Sequence, residues 1–500
     1  MTNMFKDLFV LEMANNHQGS VDHGLRIIKE AGDLVKKYNL NAGVKLQYRD
    51  IDTFIHPKYK KAQDVKHIPR FMSTRLTDAQ FKKMVEATAA AGMRTIVTPF
   101  DEASVAKCLD HKVDILKVAS CSADDWPLLE EIAAAGKPVI FSTGGLTIPQ
   151  VDNLVTFFTH KHVPFAMMHC VSIYPTENPQ AQLRFLSKMK KRYPGVTIGY
   201  SGHEAPGNTD IAKVAVGIGA QMLERHIGVP DQKKGIKLNA YSMDPKELDH
   251  WFQEVALAKS IVGEEEEKQI VEVEQDSLLS LKRGVFAKKP IVKGKVITKD
   301  DVFFAMPCAK GQSTSGEFGK YRTTIKASKT YKANEAIYED ANEDLHHLIR
   351  HYLHQAKGMV NEANINLGPN YQIELSHHFG LEKFSEVGCV IINLINREYC
   401  KKLIVVLPGQ SNPVHMHKLK EETFQVLHGE LNVTMNKDTL NMEVGDMLLV
   451  ERRNWHSFSS KTGCIFEEVS TTHRRGDSYY RDPAIDKLDP MSRKTVVDQW

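Results

Sequence analysis

The sequence predicts an α/β protein in which a (β/α)8 TIM barrel is followed by a small β-rich domain and a C-terminal β-barrel domain. Two observations lead to this prediction. Strand-like and helical segments alternate through residues 1–265, and a histidine-bearing β pattern comes near the C-terminal end. A chain of 500 residues is also too long for one ordinary hydrophobic core, which agrees with several domains.

Eight short apolar segments supply the strands of the first domain. They are residues 8–14, 42–48, 94–100, 114–120, 138–144, 165–172, 196–202 and 221–227. Amphipathic stretches with apolar residues at helical spacing separate them, for example 21–38, 78–92 and 245–262. Eight such units over about 250 residues are typical of a (β/α)8 barrel. A doubly wound open sheet is the main alternative, but no glycine-rich dinucleotide turn follows the first strand.

Composition excludes several classes of partner. The net charge is only +3, so no concentrated basic face is expected and nucleic acid is not a predicted partner. No apolar run approaches the ~18 residues of a membrane helix, and the N-terminus lacks a signal-peptide pattern. Seven cysteines without CxxC spacing indicate reduced thiols. We therefore expect a cytoplasmic protein.

Polar residues gather where each predicted strand ends, which is where active sites of this fold lie. The set is Glu12, Lys45, Gln47, Thr98, Lys117, Ser120, Ser142, Ser172, Tyr174, Ser201, His203, Glu224 and His226. Lysines with hydroxyls suit an anion that carries phosphate and carboxylate. Two histidines beside a carboxylate suit a divalent metal, although histidines that only cap strands are an open alternative.

Eight motifs occur in order along this region. They are EMANNHQGS (12–20), VKLQY (44–48), TPFDEASV (98–105), KVAS (117–120), KPVIFSTG (137–144), HCVSIYPT (169–176), GYSGHE (199–204) and LERHIGVPD (223–231). In these motifs the stretch from about residue 8 to residue 320 resembles the sialic acid synthase family. The resemblance implies condensation of phosphoenolpyruvate with an N-acylated hexose to give a nonulosonic acid and phosphate.

The resemblance also implies roles for individual residues. Those around phosphoenolpyruvate would be Lys45, Thr98, Lys117, Ser120, Ser142, Ser172 and Ser201. Those on the sugar side would be Glu12, Gln47, Tyr174, Glu224 and Asp231. His203 and His226 would bind manganese or magnesium, and Glu12 or Glu224 would accept a proton from the attacking water. A Schiff base through Lys45 or Lys117 is the alternative use of a barrel lysine, but it leaves the paired histidines unexplained.

The sequence departs from the family pattern at several positions. The family usually has an aspartate at Gly202 and an acidic residue at Ser122. Residues 280–335 resemble the antifreeze-like (SAF) module, which implies a homodimer with each module swapped over the partner's barrel. The arginine with which the family contacts the sugar is missing from residues 305–308. Lys310 or Gln312, a few residues later, is a candidate to substitute for it. The acceptor is therefore expected to be a different hexose, including an aldose without the acylamino group.

A second pattern lies near the C-terminus, where a helical connector (336–375) precedes a predicted cupin domain (376–480) and a tail (481–500). Gly409, His415, His417, Glu422 and Gly429 have the spacing of the first cupin motif. His415 and His417 are two apart on a strand and share a face. With Glu422 and His456 they would bind a divalent metal of unknown identity. The alternative is a barrel packed by histidines.

Several functions remain open for the predicted cupin. It can be a sugar isomerase or epimerase, a sugar-binding module with a structural metal, or an iron oxygenase. The HxHxxKxE spacing, which includes Lys420, resembles sugar-isomerising cupins such as lyxose isomerase. For the whole chain, the leading hypothesis is a metal-dependent nonulosonic acid synthase. A non-catalytic sugar sensor is the alternative from another class, and the retained lysines and histidines argue against it.

Overall fold

The computed structural model describes residues 4–318, 324–342, 345–498 and 500. The chain divides into two compact units, Met1–Lys268 and Gln269–Trp500. Within the described residues, no helix combines the length and the apolar character needed to cross a membrane.

The first unit is a closed parallel barrel, which confirms the predicted fold class. Its strands are β1 (Leu8–Glu12), β2 (Ala42–Tyr48), β3 (Arg94–Pro99), β4 (Ile115–Val118), β5 (Val139–Ser142), β6 (Phe165–Cys170), β7 (Thr197–Ser201) and β8 (Met222–Ile227). Each pairs with the next, and β1 also pairs with β8 and closes the barrel. A short strand β9 (Ser242–Met243) lies beside β8. Each of the strands β1 to β8 falls within a predicted segment.

Helices follow the strands and cover the barrel. They are α1 (Val21–Tyr38), α2 (Ile51–Phe54), α3 (Ile68–Ser73), α4 (Asp78–Ala90), α5 (Glu102–Asp110), α6 (Trp126–Ala134), α7 (Ile148–His160), α8 (Arg184–Arg192), α9 (Asp210–Gly217) and α10 (Pro245–Val262). Local signals define their ends: Ser20 caps α1, and Asp244 forms a capping box with Glu247 at the start of α10. Buried aliphatic and aromatic residues of strands and helices form the main core, and a smaller core lies among the strands.

The second unit begins with α11 (Glu272–Leu281) and a small β-rich region. Its strands are β10 (Gly284–Ala287), β11 (Val296–Ile297), β12 (Val302–Ala305), β13 (Thr324–Lys326) and β14 (Ala341–Asn342). β10 pairs with β12, while β11, β13 and β14 form a second small sheet. Val285, Ile291, Ile325 and Tyr331 belong to a core of their own. This region overlaps the predicted SAF module.

The rest of the second unit contains two antiparallel sheets. Seven strands form the larger one: β15 (Gln372–His377), β16 (Gly388–Asn396), β17 (Tyr399–Val406), β19 (Glu422–Gly429), β22 (Met447–Val450), β24 (Cys464–Thr471) and β26 (Lys494–Val497). The smaller has β18 (His415–His417), β20 (Leu431–Met435), β21 (Asp438–Met442), β23 (His456–Ser459) and β25 (Ser478–Tyr480). Phe424 of the larger sheet and Phe458 of the smaller share one core, as a cupin sandwich requires.

Two segments outside the predicted cupin boundaries pack with its sheets. Helix α12 (Leu345–Glu362), in the predicted connector, buries Leu353 and Ala356 against the larger sheet. In the predicted C-terminal tail, which also contains α13 (Pro483–Asp486), β26 pairs with β15. Both segments therefore belong to the packed β domain, because an amphipathic helix and an edge strand need a partner to bury their apolar faces.

Candidate active site in the barrel and candidate metal centre in the cupin

The barrel interior shows how the strands position the polar cluster. Val10, Ile96 and Ile140 belong to one small core of apolar strand residues. Side chains two residues further along a strand face the same way. That spacing brings Glu12 after Val10, Thr98 after Ile96 and Ser142 after Ile140 to the C-terminal ends. The same alternation that packs the barrel therefore assembles the site.

Lys45 lies at the centre of the polar cluster. Its Nζ is 2.7 Å from Oε2 of Glu12 and 2.7 Å from Oε1 of Glu224. Burial alone would lower the pKa of Lys45, but the two carboxylates outweigh burial and raise it above its ordinary value. Ser201 donates to Oε1 of Glu224 at 3.1 Å, and Gln47 donates to Oε2 of Glu12 at 3.3 Å. Strands β1, β2, β7 and β8 are thus joined by one buried network.

Lys117 is the second buried lysine. Its Nζ donates to Oγ of Ser142 and lies 3.8 Å from Oε2 of Glu224. Burial lowers the pKa of Lys117 to about 8, although the Glu224 carboxylate opposes the shift. The pKa of Glu224 is well below its usual range because Lys117 and Lys45 outweigh the opposing effect of burial. Lys117 is therefore mostly protonated at neutral pH and loses its proton at slightly higher pH.

A group of hydroxyls lies around Gly144. Its backbone N–H donates to Oγ of Ser120 at 2.9 Å. A Cβ at Gly144 would lie 2.4 Å from Oγ of Ser172 and 2.8 Å from Oγ of Ser120, so no larger residue fits between them. Thr98 is buried, and within the described residues its hydroxyl has no hydrogen-bond partner. Hydroxyls, a backbone amide and Lys117 together suit a phosphate or carboxylate group.

The two predicted histidine ligands are neighbours. The ring centroids of His203 and His226 are 5.2 Å apart. Burial lowers the pKa of both imidazoles to about 3, which keeps them in the neutral form that metals bind. Nδ1 of His203 contacts the Val171 carbonyl oxygen at 3.2 Å, while Nδ1 of His226 is buried without a hydrogen-bond partner among the described residues. This pair fits a divalent ion.

Two aromatic residues contact the histidine pair. Tyr174, which the motifs indicate, has its ring 4.4 Å from that of His203. Tyr241 lies 4.9 Å from the ring of His226, and we did not predict it from the sequence. It lies just before β9, outside the recognised motifs, so only the return of the chain past β8 brings it here.

Arg49 is another residue at this end of the barrel that sequence reasoning missed. Its guanidinium lies 3.5 Å from the ring centroid of Phe100 and 4.2 Å from that of Phe71. It donates to Oε1 of Gln47 at 3.0 Å. Burial lowers the pKa of Arg49 to about 10, so it stays charged near neutral pH. The signal for it was a cation directly after VKLQY, which alone is not specific.

The departure at Gly202 has a structural explanation. The Arg225 guanidinium is buried and lies 2.7 Å from Oε1 of Glu204, which is fully buried. A Cβ at Gly202 would lie 2.4 and 2.7 Å from the two carboxylate oxygens of Glu204. The Glu204 carboxylate therefore occupies the space that a side chain at Gly202 would enter. The pair flanks both candidate ligands, since Glu204 follows His203 and Arg225 precedes His226.

Two predicted contributors are engaged elsewhere. Asp231 caps the short helical turn Gln232–Lys234 and lies 3.4 Å from Nη1 of Arg26. No described hydrogen bond or ion pair links Asp231 to the polar cluster. Gln312 was a candidate substitute for the missing arginine, but its amide accepts from Ala309 N and donates to the Val285 carbonyl. Lys310, the other candidate, is exposed.

In the cupin domain, the structure brings together the predicted metal ligands. One ligand nitrogen each from His415, His417 and His456 lies within 4.8 Å of the others. Oε2 of Glu422 lies 3.2 Å from Nε2 of His456. Lys420 contacts Oε1 of the same carboxylate, and the pKa of Glu422 is well below its usual range because Lys420 and His417 outweigh burial. The cluster therefore has the ligand types of a divalent metal centre.

Backbone carbonyls orient the three rings. Nδ1 of His415 contacts the Pro413 carbonyl at 3.0 Å, that of His417 the Asp477 carbonyl at 2.7 Å, and that of His456 the Asn454 carbonyl at 3.1 Å. Such partners fix the tautomer and leave the other nitrogen as an acceptor. Burial lowers the pKa of His417 to about 4 and that of His415 well below its ordinary value. This arrangement fits a resident metal.

Comparisons with known proteins agree with this geometry. The NeuB family model matches residues 36–267, and the cupin domain model matches residues 402–466. A crystal structure from Chromobacterium violaceum, of a protein named for spore coat polysaccharide biosynthesis, is 41% identical with a TM-score of 0.64. That match covers 66% of this chain and 98% of that one.

Characterised relatives share the same region. Human N-acetylneuraminate-9-phosphate synthase is 28% identical over 58% of this chain and 80% of its own length. The N,N'-diacetyllegionaminic acid synthase of Campylobacter jejuni is 24% identical over 67% of this chain and all of its own length. Over its barrel the chain belongs to the NeuB family, and it carries a cupin domain in addition.

Proposed function

We propose that the barrel catalyses the metal-dependent condensation of phosphoenolpyruvate with an aldose, giving a nonulosonic acid and inorganic phosphate. The observation that carries the proposal is the buried cluster of Lys45, Lys117 and Glu224 beside the His203–His226 pair. Relatives named as sialic, legionaminic and pseudaminic acid synthases support the same reaction class.

The two lysines have different roles in this proposal. Lys117, with the hydroxyls of Ser120, Ser142, Ser172 and the buried Thr98, faces the phosphate and carboxylate. Their charges and dipoles are in place before the reaction, so they stabilise developing negative charge without reorganisation. Lys45 stays protonated between two carboxylates, which orients Glu12 and Glu224 and does not suit a Schiff-base nucleophile.

The bonds change in three stages. C3 of phosphoenolpyruvate attacks the aldehyde carbon, whose oxygen takes up a proton from solvent as positive charge develops at C2. A divalent ion held by His203 and His226 would supply Lewis acidity toward the aldehyde oxygen. Water then adds to C2 and loses a proton to Oε2 of Glu224, which is buried without a hydrogen-bond donor among the described residues. A weak base suffices there because C2 is already cationic. Cleavage of the C2–O bond releases phosphate and leaves a 2-keto acid.

The motifs leave open which sugar acts as the acceptor. We propose an aldose whose polar group does not require the family's arginine, because residues 305–308 are Ala-Met-Pro-Cys and the Gln312 amide is engaged. An aldose without an acylamino group is therefore the second candidate. The proposed assembly is a homodimer in which the SAF-like region, residues 280–335, covers the partner's barrel, as the family resemblance implies.

Phosphate release tests the proposed reaction. Purified protein with Mn²⁺ and phosphoenolpyruvate is assayed with N-acetylmannosamine, its 6-phosphate, 2,4-diacetamido-hexoses and mannose. We expect release that depends on one of these sugars, with formation of a 2-keto acid in equal amount. Preference for mannose would identify a non-acylated acceptor. A folded, metal-loaded protein that releases no phosphate with any sugar would contradict the proposal and favour a sensor.

The pH dependence of phosphoenolpyruvate use gives a second prediction. Lys117 attracts the substrate anion only while its amine is protonated, and the pKa of Lys117 is about 8 in the free protein. We expect kcat/KM for phosphoenolpyruvate to be level below pH 8 and to fall about tenfold per unit above it. The Lys117→Arg variant should move this limb to higher pH because a guanidinium stays charged. An unchanged limb in that variant would exclude Lys117 as the titrating group.

A further inference from the structure

The cupin domain encloses a cavity of about 510 Å³, lined by the metal-ligand residues together with several charged side chains. His415, His417, Glu422 and His456 lie on its wall, and so does Arg493. A volume of this size admits a sugar or a small molecule. No part of the proposed barrel reaction uses this cavity, so it represents a second site within the chain.

Most charged residues of the cavity neutralise one another. Nζ of Lys494 lies 2.7 Å from Glu374, and Nζ of Lys402 lies 3.2 Å from Glu468. Lys420 bridges Glu468 and Glu422, at 2.9 Å from the first. The three carboxylates on the wall therefore already have cationic partners.

Arg493 differs from these residues. It is only 7% exposed, and Nη1 of its guanidinium is buried with no hydrogen-bond partner among the described residues. No carboxylate of the described residues lies within ion-pair distance of the Arg493 guanidinium. Its described contact is with the Tyr480 ring, whose centroid lies 4.7 Å from the guanidinium carbon. A buried cation without a counter-charge is strongly unfavourable, so an anion from outside the chain would stabilise it.

Tyr480 connects this cation to the metal centre. Its ring is stacked on His415 with centroids 5.7 Å apart, and its hydroxyl contacts Nε2 of His378 at 3.0 Å. One small ligand can therefore reach both Arg493 and the three histidines. The hydroxyls of a sugar are suitable oxygen ligands for a divalent ion, and a guanidinium pairs with carboxylate or phosphate in bidentate geometry.

We propose that the cupin cavity binds a sugar that carries a carboxylate or a phosphate, with the anionic group on Arg493 and hydroxyl oxygens directed to the histidine cluster. The shared chemistry is a polyhydroxylated anion, which includes both phosphorylated sugars and sugar acids. This site is separate from the barrel, and its existence does not depend on which acceptor the barrel uses.

Isothermal titration calorimetry on the full-length, Mn²⁺-loaded protein tests this proposal. The probes are sorbitol, sorbitol 6-phosphate and gluconate, which share a six-carbon chain but lack an aldehyde and so cannot enter the condensation. Saturating phosphoenolpyruvate occupies the barrel, and inorganic phosphate serves as a fourth probe. We expect at least one of the two charged sugars to bind tenfold or more tightly than sorbitol, and which one binds distinguishes a phosphate from a carboxylate ligand.

Variants locate the binding. Arg493→Gln should remove the preference for the charged sugar, Arg493→Lys should retain part of it, and His415→Ala should weaken the binding of the same sugar. Arg452→Gln, at an exposed position outside the cavity, is the matched control. Equal affinity for neutral and charged probes in the wild type would overturn the proposal, even if Arg493 variants fail to fold. Binding of inorganic phosphate as tight as that of the sugars would also overturn it.

Discussion

Replacing His203 or His226 by alanine is expected to lower kcat for sugar-dependent phosphate release by about a thousandfold or more. Lewis-acid activation contributes several kcal/mol, and each ~1.4 kcal/mol is a factor of ten in rate. Both rings are neutral and adjacent, so loss of either leaves an incomplete pair. The measurement is kcat as a function of Mn²⁺ concentration, together with metal content after gel filtration.

A matched control makes this result specific. His250 is exposed on helix α10, so His250→Ala should retain full activity and the same dependence on Mn²⁺. Because the cupin offers a second metal cluster, the total metal bound should fall only in part in the His203 and His226 variants. Wild-type turnover in the double His203/His226 variant would show that these histidines do not take part in the reaction.

The second large effect is expected at the buried Glu204–Arg225 pair. Arg225→Met leaves the Glu204 carboxylate buried without its cation, and removing one partner of such a pair costs about 3–5 kcal/mol. Urea denaturation of the barrel unit measures this loss. Lys213→Met, which breaks a more exposed pair with Glu254, should cost no more than ~1 kcal/mol. Similar losses in the two variants would contradict the importance assigned to burial.

A double substitution at Gly202 and Glu204 tests whether the two side chains occupy the same space. A side chain at Gly202 collides with the Glu204 carboxylate, so Gly202→Asp alone should destabilise the protein. Combined with Glu204→Ala, the new aspartate can enter the vacated space, and we expect part of the stability to return. The interaction free energy between the two substitutions should therefore be favourable. Purely additive losses would mean that the two carboxylates do not occupy the same space.

The alternation of apolar and helical segments, with the order of the motifs, was sufficient to predict the barrel. The eight strands lie within their predicted segments because strands of a parallel barrel are buried on both faces, which the sequence displays as short apolar runs. Polar residues near the ends of these segments, among them Lys45, Lys117 and Glu224, predicted a site at the C-terminal ends of the strands. In the cupin, His415 and His417 were likewise visible as alternate residues of one strand.

Other features depended on contacts between distant segments. Tyr241 reaches His226 only because the chain returns past β8, and no motif marks it. Asp231 matched a motif, yet local backbone N–H groups and Arg26 engage its carboxylate. Pairing of β26 with β15 and packing of α12 on the larger sheet also join segments far apart in the chain.

The sequence by itself determined the fold class, the order of the strands and the chemical types gathered at their ends, since these follow from local periodicity and motif spacing. Only the tertiary structure decided which charges are compensated. It paired Glu204, just after β7, with Arg225 of β8, and among the described residues it placed no hydrogen-bond partner at Nη1 of the buried Arg493. Charge compensation depends on distance and burial, and neither is encoded in the spacing of residues along the chain.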